Sequence, residues 1–274
     1  MDEQAIDVSE VPKAPTLPPV GGWPRAILFR VFALIIAGGA VYNNQDGLGA
    51  IIVLFVLVVP FERLFPRHDH QNFRRPNLNL DLGYALASPF LQAIGLVAAV
   101  FVGVLSFTWI PGLILRPYVQ SIPDPYLLLV GVAMFDLASY WTHRWYHEVP
   151  QLWKFHAIHH SPEHMDWASG FRAHPFDGTL IAPAFFFLLA AGFSPEFSGL
   201  VAVVQIVLGL FLHANVRIWL KPLSKIIMTP EFHHWHHANE PEAIWCNYST
   251  FLPLWDLLFG TYYMPKDKRP SVYG

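Results

Sequence analysis

The chain has one cysteine, Cys246, in 274 residues. That excludes an internal disulfide and any iron–sulfur cluster built on the chain's own thiolates. A redox activity here would draw its electrons from an external donor. Charge is also scarce. Asp, Glu, Lys and Arg make up 14% of the residues, against roughly 25% in soluble domains. The formal net charge of -3 leaves no basic excess, so no nucleic-acid partner is expected. The first 22 residues start acidic and lack a basic stretch followed by an apolar core, so they do not read as a cleaved signal peptide. Pro12, Pro15, Pro18 and Pro19 make them an extended or disordered tail. The metalloprotease motif HExxH is missing: Glu148 follows His147, but residue 151 is Gln.

What is abundant is apolar sequence, 54% of the chain. Apolar stretches run over Trp23–Tyr42, Leu48–Phe65, Leu82–Phe107, Pro125–Thr142 and Phe197–Leu220. Each approaches or exceeds the roughly 18–20 residues that cross a bilayer as a helix. Leu180–Phe193, with Pro183 inside it, is shorter and reads equally as half-buried or re-entrant and as spanning, with its hairpin partner Phe197–Leu220 favouring that both dip in together. The expected fold is all-α: an integral membrane bundle of four to six helices under a cytoplasmic helical cap. Basic residues set the topology. Arg25 and Arg30 open the first helix, the turn 43–47 has no Lys or Arg, and Arg63, Arg67, Arg74 and Arg75 follow the second. This describes a hairpin with both ends in the cytoplasm. The third helix then crosses outward, and the fourth returns with His143 to the cytoplasmic face. Lys221 and Lys225 bring the last hairpin back to the same side.

Twelve of the fourteen histidines lie between residues 143 and 237, and this clustering at one membrane face points to a metal site. His143 and His147 are an i, i+4 pair. His156, His159 and His160 have i, i+3, i+4 spacing, as do His233, His236 and His237. On a helix such residues share a face. His213 ends an apolar helix, and His174 precedes Pro175 in a turn. Together they offer nine or ten imidazoles, enough for two ions with positions left for dioxygen. His234 lies about 100° round a helix from His233 and faces elsewhere. His164 has no partner at helical spacing, and His68 and His70 sit in the basic loop as solvated or headgroup-facing residues. An imidazole shell is neutral, so carboxylates should orient the rings and offset charge. Asp136, Asp177 and Asp256 are the main candidates, with Asp166 and Glu231 behind them. Each could equally be an ordinary solvated or capping carboxylate. Tyr140, Trp141, Trp145 and Tyr146 surround the first pair and read as an interfacial aromatic belt or as walls of a substrate channel.

Residues 125–265 resemble the sterol desaturase / fatty acid hydroxylase superfamily of membrane di-iron enzymes. The likeness is carried by Asp136 through His147, by Trp153-Lys-Phe-His156-Ala-Ile-His159-His160, by Arg172-Ala-His174-Pro175 and by His213-Ala-Asn215. His233-His-Trp-His236-His237 and Asp256-Leu-Leu-Phe-Gly260-Thr-Tyr262 complete it. The boxes HxxxH, HxxHH and HxxHH stand in the family's order. One departure is Arg217, where some members carry a second histidine four residues after the His213 position. The resemblance implies two ferrous ions, replaceable by zinc in purified protein, and O2-dependent C–H oxidation of a lipid. Electrons would come from a cytochrome b5-, ferredoxin- or rubredoxin-type donor. Hydroxylation and desaturation are not separated by the boxes, because substrate positioning decides between them.

The expected organisation is a tail over residues 1–22, membrane helices and loops over 23–124, the catalytic domain over 125–265 and a second tail over 266–274. The localisation expected is a multi-pass membrane protein, with a bacterial inner membrane favoured over the endoplasmic reticulum because the final residues carry no dilysine signal. The alternative from another class is a non-catalytic metal transporter, which would place its ligands along a path through the bilayer.

Overall fold

The computed structural model describes residues 56–274 except 73, 218–222 and 267. The expected helix Trp23–Tyr42, and residues 48–55 of the expected helix Leu48–Phe65, lie outside the described residues. Among the described residues the chain is helical with no strand, and its only pairings of strand type are isolated bridges, Pro66 to Val216 and Ala238 to Tyr273. After helical residues 56–64 come α1 (Leu78–Leu105), α2 (Trp109–Gln120), α3 (Asp124–Glu148) and α4 (Pro150–His156). Then follow α5 (Ala182–Ala191), α6 (Pro195–Leu212), α7 (Pro230–His236) and α8 (Leu254–Phe259). Short 3-10 turns at Ser169–Phe171, Pro175–Leu180 and Leu223–Lys225 join them.

Proline sets the boundaries that matter for the site. α3 starts with Pro125 in its first turn and Asp124 beside it, where a fixed φ and a carboxylate suit the free N–H groups. Pro150 pushes Val149 into an extended conformation, so α3 ends there and α4 begins at once in a new direction. α7 opens the same way, with Thr229 accepting a hydrogen bond from the Phe232 N–H and Pro230 at its start.

The core joins α3, α5 and α6 through Phe135, Ala184, Leu188, Ala191 and Val201, with Val119 of α2. α5 is only ten residues long and largely buried, so Leu180–Phe193 forms a short core helix. α2 meets it closely: a Cβ on Gly112 would stand 2.6 Å from the Phe187 carbonyl oxygen, which only glycine avoids. α3 is largely polar on its inner face and apolar outside. α3 buries Phe135, Asp136, Ser139, Thr142, His143, Tyr146 and His147, a stripe at helical spacing, while Leu128 and Leu129 are exposed. Large apolar side chains are likewise exposed along α1 (Val97, Phe101), α2 (Ile114) and α6 (Leu200, Val203). Among the described residues α6 alone is long and apolar enough to cross a membrane as one straight helix. Leu78–Ser88 and Ala93–Leu105 pass together but bend by 69° at a break that contains Pro89.

Candidate metal centre

Three short helical segments and one helix end converge on a buried volume. α3 carries His143 and His147 in its last turns. α4 and the turn after it carry His156, His159 and His160, with the His160 N–H still bonded to the His156 carbonyl. α7 carries His233 and His236, and its C-cap is His237. His213 caps the C-terminus of α6.

The imidazoles sort into two groups. His143, His147, His156, His160 and His236 form one, and His159, His213, His233 and His237 the other. Within each group one ring nitrogen per residue lies within 4.8 Å of all the others. The groups abut, with the His160 and His237 rings stacked 4.1 Å apart. Each HxxHH box is divided between them. In the second box the i and i+4 rings join the first group and the i+3 ring the second. The third box does the reverse. On a helix i and i+4 are about 40° apart and i+3 lies about 60° to the other side, so one box can serve two neighbouring points.

Five of the nine outer nitrogens are anchored. Nδ1 of His143 donates to the Tyr248 carbonyl at 2.8 Å and Nδ1 of His236 to the Cys246 carbonyl at 2.9 Å. His159 donates to the Arg172 carbonyl at 3.2 Å and His213 to the Gly209 carbonyl at 2.6 Å. His156 donates to the Asp177 carboxylate at 2.8 Å. A carbonyl oxygen can only accept, so the proton sits on Nδ1 and the neutral ring turns a lone pair on Nε2 inward. The lone pairs of His143 and His156 face each other with Nε2 atoms 3.0 Å apart, and the Nε2 atoms of His213 and His233 are 3.3 Å apart and those of His233 and His237 3.1 Å. Nε2 of His147, His160 and His236 is buried with no hydrogen-bond partner. Converging, unpaired lone pairs in a buried volume are unfavourable alone and fit a bound cation. Burial also keeps the rings neutral. It pushes His156 down to about 3 and His159 to about 4, and His160, His233, His236 and His237 well below their ordinary value.

Asp177 is the one predicted carboxylate that touches a ring. Burial raises it to about 6, offset in part by His159 and His174. Its contact with His156 is the carboxylate–imidazole arrangement that orients a metal-binding ring. Asp177→Asn is expected to lower metal affinity about 10–100-fold. Equilibrium dialysis against Co²⁺ measures this, with helical content as the control, and unchanged affinity would remove Asp177 from the site.

Asp136 and Asp256 act at one remove. Asp136 accepts from the backbone N–H groups of Thr250, Phe251 and Leu252 and from the Thr250 hydroxyl, and reaches no imidazole. Asp256 accepts from the Tyr248 and Ser249 N–H groups and from the Thr261 hydroxyl. Gly260, at φ 76°, caps α8 and lets Thr261 fold back onto Asp256. Both carboxylates thus hold the loop whose carbonyls anchor His143 and His236. Asp166 instead grips Arg75 at 2.5 and 2.6 Å, and Glu231 stands 3.9 Å from Arg67.

His174 stands outside both groups. Its Nδ1 accepts from the Phe176 N–H, capping the turn Pro175–Leu180, and its ring packs on Phe155. His234 also lies outside them, fully buried, with Nε2 near the His213 carbonyl. His164 and His70 are outside as well, His70 on the surface. His68 corrects the expectation of a solvated residue: it is half-buried and bonded to the Tyr273 hydroxyl at 2.9 Å, because the C-terminal residues pack back over it. Tyr140 and Tyr146 are core residues rather than a belt. Their hydroxyls bond to Thr261 and Thr179, while Trp145 is exposed.

Sequence reasoning missed the backbone carbonyls of Tyr248, Cys246, Gly209 and Arg172, which no residue type announces. It also missed Asp81, fully buried, which binds Arg172 at 2.6 and 2.7 Å and Arg75 at 2.7 Å. Asp81 thereby fixes the residue that accepts from His159. An acidic residue immediately before an apolar run was the available signal.

Fold and site together define a class: a protein, all-helical over its described residues, whose buried imidazoles, drawn from three histidine boxes and His213, fit metal ions. A family model described as fatty acid hydroxylase matches residues 128–261, the span that holds all nine. The chain belongs to the sterol desaturase / fatty acid hydroxylase superfamily. It is 30% identical to the ornithine lipid hydroxylase OlsE of Rhizobium tropici over 81% of this chain and 66% of that protein. It is 31% identical to the alkylglycerol monooxygenases of Danio rerio and Homo sapiens, over 54% of this chain and 32% of each. The chain thus spans about a third of the monooxygenases it matches and 66% of OlsE. No solved structure matches it.

Proposed function

We propose that this protein is a membrane-bound oxygenase with two iron ions that hydroxylates or desaturates a C–H bond of a lipid, using O2 and an external electron donor. The observation that carries the reading is the division of nine imidazoles into adjacent groups of five and four, each with inward lone pairs. His143, His147, His156, His160 and His236 would hold one ion and His159, His213, His233 and His237 the other. His174 is then a capping residue and not a tenth ligand. Zinc would bind the same nitrogens in purified protein. The shared centre supplies, when loaded with iron, the O2-derived oxidant that an unactivated C–H bond requires.

The protein's own part is placement and charge. The carbonyl anchors on Nδ1 fix four of the nine rings before metal arrives. Among the described residues only Asp177 offers negative charge directly to a ring of the two groups, so a bound metal centre would keep most of its positive charge for anionic ligands. The outward apolar faces of α1, α2, α3 and α6 would lie against acyl chains and bring a lipid beside the buried groups. With Trp23–Tyr42 and Leu48–Phe65 added, a multi-pass bundle of four to six helices results. The metal centre would lie on the cytoplasmic side, where a cytochrome b5-, ferredoxin- or rubredoxin-type donor can dock. Residues 125–265 are the catalytic unit in this reading, and a bacterial inner membrane is favoured, in keeping with the bacterial relative. The nine rings form one compact cluster instead of a path, which disfavours transport as the role.

Comparative lipidomics of a deletion strain and its complemented parent under ¹⁸O₂ tests the proposal. Labelled hydroxyl in a lipid marks hydroxylation, and a double bond without label marks desaturation. An identical lipid profile with and without the protein would defeat it.

A further inference from the structure

Four charged side chains lie buried together beside the group of four imidazoles. Asp81 takes the Arg172 guanidinium on one oxygen, at 2.6 and 2.7 Å, and the Arg75 guanidinium on the other, at 2.7 Å. Arg75 also donates to both oxygens of Asp166, at 2.5 and 2.6 Å. Two cations thus meet two anions in one continuous cluster, with Arg172 at one end and Asp166 at the other. Taking such charges out of water offsets much of their mutual attraction, so the cluster matters chiefly for where it puts the backbone.

Each end of the cluster reaches one ring of the group of four. At one end, Arg172 Nη1 donates to the Ser161 carbonyl and hydroxyl, both at 3.1 Å, and closes the loop between them. The Arg172 carbonyl is thereby set opposite Nδ1 of His159. At the other end, Asp166 Oδ1 accepts from the Ala168 and Ser169 N–H groups at 3.1 and 3.0 Å, which shapes the turn Ser169–Phe171. Gly170 in that turn lies against His213: a Cβ there would stand 3.1 Å from the ring, so even a methyl group would press on it. Glu62 ties the same segments together, accepting from the Trp167 and Asn215 N–H groups at 2.8 Å. The group of five rests on a different frame. Its His143 and His236 are anchored on the loop that Asp136 and Asp256 hold. We propose that the cluster of Arg75, Asp81, Asp166 and Arg172 positions the group of four selectively, so that each metal site has its own polar frame and one can be weakened without the other. Asp81 and Arg75 are then positioning residues, acting through the Arg172 carbonyl and the Gly170 turn. This inference rests on the two-ion ligand assignment given under the proposed function, but not on the reaction.

The test is Co²⁺ affinity of the full chain in detergent, measured by competition with a chelator in two single-site backgrounds. His236→Ala leaves the group of four to be read, and His159→Ala leaves the group of five. Adding Asp81→Asn should weaken Co²⁺ binding about 10–100-fold in the His236→Ala background and by about twofold at most in the His159→Ala background. Asp256→Asn should show the reverse pattern. Gly170→Ala leaves every charge in place and should follow Asp81→Asn, so it carries the test if loss of a buried charge prevents folding. Equal weakening of the two sites by these variants, or no weakening of the group of four by Asp81→Asn or Gly170→Ala, would overturn the proposal. Protein without substitutions that binds fewer than two Co²⁺ ions would count against the two-ion assignment instead, so the two failures are distinguishable.

Discussion

His236→Ala and His159→Ala are each expected to abolish lipid oxidation, by at least about 100-fold, and to do so by emptying different halves of one centre. His236 is the one residue of the third box in the group of five, and His159 the one residue of the second box in the group of four. Removing either leaves its group one lone pair short, while its neighbours on the same helix still face the other group. Bound iron should therefore fall by about one ion per chain in each variant and by two in the double variant. His70→Ala, at an exposed position, should change neither iron nor activity. Iron analysis beside product formation checks this. If either single variant keeps its full iron complement, the division of the boxes is wrong.

The second large effect is an acid collapse. His156 and His159 are held neutral by burial, down to about 3 and 4, whereas in an unfolded chain they take up protons near 6.5. The folded pKa values are depressed, so the stability these groups contribute is complete above pH 6.5. It is lost as pH falls from there toward 4 and 3. Each such group costs about 1.4 kcal/mol per pH unit within that window, and several act together. Protons also compete with metal for the same nitrogens. Iron content and helical signal should fall together and steeply below about pH 6, with metal-free protein failing at higher pH than loaded protein. Circular dichroism with metal analysis across pH 7 to 4 measures both. A shallow loss in metal-free protein would mean the rings are wetter than their burial implies.

Much of this site was legible because histidine spacing is local. The boxes 143/147, 156/159/160 and 233/236/237 announce which rings share a helical face, and twofold repetition of HxxHH argues for two ions. His213 could be added from its place at the end of an apolar run. His174 could not be judged the same way. Its position before Pro175 suits a ligand and a cap equally, and the cap prevails because the Phe176 N–H lies where Nδ1 can accept it. The carboxylates divide on the same ground. Asp136 sits seven residues before His143 on the ring-bearing face, yet it spends both oxygens on the 250–252 backbone, a partner 114 or more residues away in the chain. By sequence, residues 66–81 are only the basic loop between the stretches Leu48–Phe65 and Leu82–Phe107. Asp81 and Arg75 instead tie that segment to Arg172 and Asp166, so the support of the centre begins well before residue 125.

By itself, the sequence determined the kind of ligand, the order of the boxes and the helical spacing within each, because helix geometry fixes angles over a few residues. It also determined that the outer faces would be apolar. Only the tertiary structure decided which imidazole faces which group, since that depends on how α3, α4 and α7 meet. It alone decided that peptide carbonyls would anchor four of the rings, because a carbonyl is common to every residue and only packing gives it a position.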